Sequence, residues 1–271
     1  VIVLAVVVIL FTVNTGGKML LPQNVNNLIA QNAYVFILAT GMLFCILTGG
    51  NIDLSVGSVV CFVGAIGGSM MINMGIPDIF GMEGLNMTCM LAGVAVSLIY
   101  AVSSLYGRMK KLQKGYRVDP LGGVIAKIVI ISGVVLFFTF KLAQYKGIPN
   151  ALVWVSVIIG IYSYISSKTT TGRYFYAVGG NEKATRLSGI DTNRVYFLAY
   201  LNMGLLAAVA GMVTVARLNS ANPTAGNNYE MDAIGACFIG GASAYGGTGT
   251  VPGVIIGATL MGVLNLGMSI M

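Results

Sequence analysis

The sequence predicts an all-α, polytopic membrane protein, and three observations carry that prediction. Apolar residues make up 56% of the 271-residue chain and charged ones only 8%, where a soluble domain has about 25% charged residues. The apolar residues gather into runs of membrane-spanning length. Most of the cations fall into two short segments between those runs, which is the distribution of a topology signal.

The spans follow from the breaks between apolar runs. The run from Val1 to Val13 is short for a crossing and reads as truncated at its start. Full spans are expected at about 31–49, 54–73, 84–106, 121–140, 148–166, 195–216 and 250–271. A shorter apolar piece, about 231–245, has glycines at its far end and is expected to be a re-entrant helix.

Orientation comes from Lys and Arg. The stretch 107–117, "GRMKKLQKGYR", holds five of the fifteen cations. The segment 167–194 holds five more: Lys168, Arg173, Lys183, Arg186 and Arg194. Two spans separate these segments, so both face the cytoplasm. The loop 74–83 then lies outside, with Asp78 and Glu83 and no cation. Both termini fall inside if 231–245 is re-entrant. The net charge of +7 is therefore a topology signal, and no nucleic-acid partner is expected.

Asp53 is the only charged side chain between Lys18 and Asp78, within "LTGGNIDLSVGSVV" (Leu47 to Val60). Gly49 and Gly50 suit the left-handed stop of one helix. Asn51 and Asp53 suit the cap of the next, where a carboxylate also meets the positive end of the helix dipole. The preferred reading places Asp53 as a cap near the cytoplasmic face. A contact that seats a cytoplasmic partner and an ion-carrying role are the alternatives, because an acid inside a membrane is a functional candidate by default.

The segment "AVGGNEKATRLSGI" (Ala177 to Ile190) is the most informative polar piece. Asn181 can cap, Glu182 suits a first turn, and Gly189 suits a stop. These features encode a helix of about two turns, Glu182 to Ser188, between two spans. Ala184, Leu187 and Ile190 are expected on one side, with Lys183 and Arg186 projecting elsewhere. So short a helix is unstable alone and must pack on something. A lipid-surface helix would be longer and more strongly amphipathic, so a protein partner fits better.

Three motifs in order, "GGNIDLSVGS", "GRYFYAVGGNEKATRLSGI" and "DAIGACFIGGAS…GGTGTVPGVIIGA", resemble those of the permease subunits of bacterial ABC importers for monosaccharides. The basic loop "GRMKKLQKGYRVDPLGG" resembles the xylose or multiple-monosaccharide branch, within the wider ribose and galactoside permease superfamily. The resemblance covers nearly the whole chain. It implies one helical permease domain over residues 1–271, in the bacterial inner membrane, passing xylose, galactose, arabinose or a similar sugar. It further implies a second permease subunit, a cytoplasmic ATPase subunit, and a periplasmic or lipid-anchored sugar-binding protein. By the same resemblance Gly180, Asn181, Glu182, Lys183, Ala184, Thr185, Arg186, Leu187, Ser188, Gly189 and Ile190 form the coupling helix that docks in a cleft of the ATPase. One departure stands out. After the "IDLSVGS" helix the family carries further sequence, whereas here "MMINMG" runs directly into "IPDIFGMEGLN", so residues are expected to be missing near 74–77.

The remaining features are less specific. The loop 217–232 is rich in Asn, Ser and Pro and suits a solvated outer face or a contact with the binding protein or sugar. Glu230 or Asp232 is expected to cap the re-entrant helix. Gly253 and Gly257 form a GxxxG pattern for close helix packing. Trp154 and Tyr162 share a span, and packing is preferred for both over sugar stacking. Histidine is absent, which removes the triad and metal chemistries that depend on it. The four cysteines show no CxxC pair, so neither zinc nor a disulfide is inferred. No G-x-x-x-x-G-K-[ST] motif is present, so ATP hydrolysis and cofactors are not expected on this chain. Membrane lipid surrounds it. An ion-coupled secondary transporter is the alternative, with Asp53 as its one weak candidate; a membrane-embedded enzyme lacks a convergent set of reactive groups.

Overall fold

The chain is described here by a computed structural model covering residues 2–74, 94, 97–98, 101–102, 104–106, 108–110, 113, 121–143, 150–218, 220, 222 and 224–271. The expected span at 84–106, the loop 74–83, the seam near 74–77 and Lys111, Lys114 and Arg117 of the basic loop lie wholly or mostly outside those residues. The described elements are helical and include no strand. In order they are α1 (Ile2–Asn14), a 3-10 turn (Lys18–Leu20), α2 (Pro22–Leu47), α3 (Val56–Met74) and α4 (Leu121–Ala143). There follow α5 (Asn150–Lys168), α6 (Thr170–Gly180), α7 (Glu182–Leu187), α8 (Thr192–Leu218), α9 (Tyr229–Ile239) and α10 (Val251–Ile270).

Four of these are long and apolar enough to cross a membrane: Pro22–Leu47, Ala151–Lys168, Thr192–Leu218 and Val251–Ile270. The protein is an all-α polytopic membrane protein. α2 starts nine residues before the expected 31, at Pro22. Proline is favoured in a first turn, where its missing N–H costs nothing, and the asparagines that follow do not stop the helix. α9 is only eleven residues long, about 16 Å at 1.5 Å per residue, too short to cross; the glycines from Gly240 onward belong to the loop after it.

The chain divides into two compact units, Val1–Met19 with Asn27–Ile79 and Asn150–Met271, and Leu20–Asn26 with Phe80–Pro149. In the first unit the centre is α2. Val35, Ile37, Leu38, Met42, Leu43, Ile46 and Leu47 are all fully buried, which is how a helix apolar on every side behaves when other helices enclose it. α8 runs antiparallel along α2, with Cys45 Sγ 3.6 Å from the Ala199 carbonyl and Gly41 under Met203. α3 lies along α8, where a Cβ on Gly211 would stand 2.8 Å from the Val60 carbonyl. α9 and α10 pack backbone to backbone: a Cβ on Gly257 would meet the Ala236 carbonyl, and one on Gly253 the Gly240 carbonyl. Small residues permit this approach where no hydrophobic driving force acts between helices in lipid. The second unit contains α4, whose Ile125, Val129, Ile130, Val134 and Phe137 are exposed within the chain, an apolar surface suited to lipid or another helix.

Candidate functional site

The short helix α7 is built by local chemistry. Asn181 has extended backbone, φ −161° and ψ 99°, and its Oδ1 accepts the Ala184 N–H at 3.0 Å. Its own N–H closes α6 by donating to the Ala177 carbonyl at 3.0 Å, so one residue ends one helix and starts the next. Glu182 in the first turn and Arg186 in the last complement the helix dipole. The far end is a Schellman stop: Ile190 N–H donates to Thr185 O at 3.4 Å and Gly189 N–H to Arg186 O at 3.0 Å. Gly189 has φ +83°, the left-handed geometry that glycine adopts without a Cβ penalty. Ser188 caps the end, its Oγ donating to Ala184 O at 2.9 Å.

Thr185 ties this helix down. It is buried, and its Oγ1 donates to the carbonyls of Ala177 at 2.9 Å and Asn181 at 2.8 Å. Tyr196 of α8 adds a hydroxyl donated to Glu182 Oε2 at 3.1 Å. The other side is bare. Lys183, Ala184 and Arg186 are exposed, and Leu187 is 90% exposed. Ile190, expected on that side with Ala184 and Leu187, does not share it. It is half-buried and packs against the core, because the Schellman turn reverses the chain before Ile190 is reached.

α6, unrecognised in the sequence, forms the base of α7. Thr169 caps it, Oγ1 accepting the Gly172 N–H at 3.1 Å. It buries Phe175 and Val178, with Phe175 edge-on to Phe44 at 5.1 Å between ring centroids. Tyr176 donates its hydroxyl to the Gly249 carbonyl at 2.8 Å. The locatable signal was the Thr169 cap followed by apolar residues at 175 and 178, three apart.

Gly49 and Gly50 do end α2, with φ +127° and +76° and a 2.7 Å bond from Gly50 N–H to Ile46 O. Gly57, in the first turn of α3, lies against Gly226 and Glu230, beside Tyr229, which stacks on Tyr34 at 3.7 Å between ring centroids. Asp53 stands three residues before α3. Its Oδ1 accepts the Ser55 N–H at 2.9 Å and the Ser55 hydroxyl at 2.6 Å. The residue at the cap position of α3 is Ser55, whose carbonyl accepts the Val59 N–H at 3.0 Å; Asp53 braces the turn before it.

Neither Glu230 nor Asp232 caps α9. Asn228 holds that position, with φ +67° and no side-chain cap bond. Asp232 Oδ2 instead accepts the Tyr34 hydroxyl at 2.6 Å, a stronger partner for a carboxylate than a frayed N–H. Tyr162 packs edge-on to Phe44 and donates to Asn202 Oδ1. Trp154 is 47% exposed.

This chain belongs to a permease family: residues 24–271 match the family model described as "Branched-chain amino acid transport system / permease component". It is 36% identical over 269 residues to the ribose import permease protein RbsC of Escherichia coli (strain K12), covering 92% of this chain and 78% of that protein. It is 32% identical over 332 residues to the xylose transport system permease protein XylH of Haemophilus influenzae, covering 100% of this chain and 88% of that one. XylH of Escherichia coli (strain K12) is 30% identical over 327 residues. The XylH alignments are longer than this chain, so those relatives carry residues with no counterpart here. No solved structure matches. The protein is a transport permease of the inner membrane, not a catalytic enzyme.

Proposed function

We propose that this chain is the membrane-spanning subunit of an ABC importer that passes a monosaccharide into the cytoplasm. Identity favours the ribose permeases and coverage the xylose permeases, and both relatives are named for pentoses. The whole chain acts as one permease domain, with the residues missing near 74–77 present in its relatives. A cytoplasmic ATPase subunit, an extracytoplasmic sugar-binding protein and a second permease subunit, as a homodimer, complete the importer.

The observation that carries this reading is α7. A six-residue helix is too short to persist on its own propensity. It is nevertheless capped at both ends and braced beneath by Thr185, while Leu187 projects free of the chain. An apolar side chain held outward on a fixed base suits a partner's cleft, and the segment's cations support a cytoplasmic position for it. The residues from Gly180 to Ile190 form this docking segment, with Ala184 and Leu187 at the contact and Ile190 anchoring from behind.

The test is assembly. Co-expressed with an ATPase subunit and a sugar-binding protein from the same importer class, the permease should co-purify with the ATPase. Sugar-loaded binding protein should stimulate ATP hydrolysis in the purified complex. A permease that carries solute with no ATPase bound would overturn the proposal.

A further inference from the structure

Two helix ends and a loop, each bearing glycine, meet beside the short helix. A Cβ on Gly179 would fall on the Leu47 carbonyl and the Gly247 nitrogen. The Gly247 N–H donates to that same Leu47 carbonyl at 3.0 Å. A Cβ on Gly247 would stand 2.9 Å from the Gly180 nitrogen, and one on Gly246 would stand 2.5 Å from Gly49 Cα. A Cβ on Gly50 would collide with the Ala244 carbonyl. Gly50, Gly246 and Gly247 also have φ of +76°, +84° and +72°, so an L side chain would be strained there as well as crowded.

The end of α6, the end of α2 and the loop from α9 to α10 therefore touch backbone to backbone. Side chains at a contact can change rotamer and absorb a displacement; main chain locked against main chain cannot. Packed contacts of this kind transmit strain. Two of these segments lead directly into the next long helix. Gly50 is followed by the short link 51–55 and then α3, and Thr250 caps α10 immediately after the loop, accepting the Gly253 N–H at 3.2 Å. α7 joins the same body through Asn181 and the Thr185 hydrogen bonds.

We propose that α6, α7, the α2–α3 break and the α9–α10 loop move as one rigid body, so that displacement of the docked helix is delivered directly to the starts of α3 and α10. Gly179, Gly247, Gly246 and Gly50 are the positioning residues of this device. The inference rests on the reading of α7 as the ATPase-docking helix.

Two helical glycines provide the comparison. Gly179 has no room for a Cβ, whereas a Cβ on Gly204 of α8, outside the docking segment, has nothing within 4 Å. In the full importer reconstituted in nanodiscs, Gly179→Ala should retain the ATPase and its basal hydrolysis. It should lose sugar-stimulated hydrolysis and uptake by about tenfold, within the 5–150-fold span typical of coupling between sites. Gly204→Ala should match the parent in all four readouts. Full stimulation and uptake in Gly179→Ala would overturn the proposal.

A second measurement stands if Gly179→Ala does not fold. Tyr174 on α6, outside the docking segment, and Tyr245 in the α9–α10 loop are both exposed. With spin labels on Tyr174→Cys and Tyr245→Cys, and unlabelled permease in excess, the distance distribution should be the same without nucleotide and with a non-hydrolysable ATP analogue. A distribution that shifts between the two states refutes the rigid body. The docking reading fails separately, if Leu187→Asp still binds the ATPase.

Discussion

Replacing Leu187 by aspartate should detach the ATPase while leaving the permease folded. Leu187 is 90% exposed, so the permease alone loses no buried contact, and a surface change of this kind alters stability by about 0.5 kcal/mol or less. In the docked complex the same side chain would be covered. Burying a leucine stabilises by about 1.5–3 kcal/mol. Losing it weakens the contact by about 10- to 100-fold at roughly 1.4 kcal/mol per factor of ten. The carboxylate adds the desolvation of an unpaired charge, an effective penalty of several kcal/mol. The assay is co-purification of the ATPase with the permease, beside sugar-stimulated ATP hydrolysis on the same preparation and a melting temperature for the permease alone. The expected result is an unchanged melting temperature with both other signals lost. Wild-type co-purification and stimulation would refute the reasoning and make α7 an ordinary surface segment.

Gly189→Val should lose stimulation too, but through the permease: a β-branched residue at φ +83° opposes the left-handed stop, and faster proteolysis after Arg186 would report the frayed helix. Thr185→Val removes the donor to the Ala177 and Asn181 carbonyls at about 1 kcal/mol, whereas Thr185→Ser keeps it; a lower melting temperature for Val and not for Ser is the check. Asp53→Asn retains an oxygen acceptor for Ser55 and should transport near the parental level, while Asp53→Leu loses both Ser55 bonds and should be less stable. Complete loss of transport in a well-assembled Asp53→Asn would show that the charge itself is used. Replacing Arg108, Lys110, Lys111 and Lys114 by neutral residues should disturb insertion, read by accessibility of cysteines placed in the loop, without altering sugar preference in correctly inserted protein.

What the sequence disclosed depended on whether the information was local. α7 was legible because Asn181, Glu182 and Gly189 act within four residues of where they stand. The stop at Gly49 and Gly50 was legible for the same reason. α6 was not, because its aromatic residues and glycines favour a helix only once Phe175 and Val178 have a core to enter. The role of Asp53 was half legible: a short-range acceptor was expected there, but whether it caps α3 or braces the turn before it depends on where the helix starts. The crowding at Gly179 was hidden most completely. Its neighbours are Leu47 and Gly247, far away in sequence, and Gly180 beside it looks identical in the sequence yet faces open space.

Solute uptake by reconstituted vesicles tests the central claim most directly. The permease, its ATPase and its binding protein are placed in liposomes and offered labelled ribose, xylose, arabinose and galactose. Uptake should require both ATP and the binding protein, should follow the binding protein's preference among the sugars, and should persist when ionophores collapse every ion gradient. Uptake driven by an ion gradient, with no ATP and no binding protein, would contradict the account and identify a secondary transporter instead.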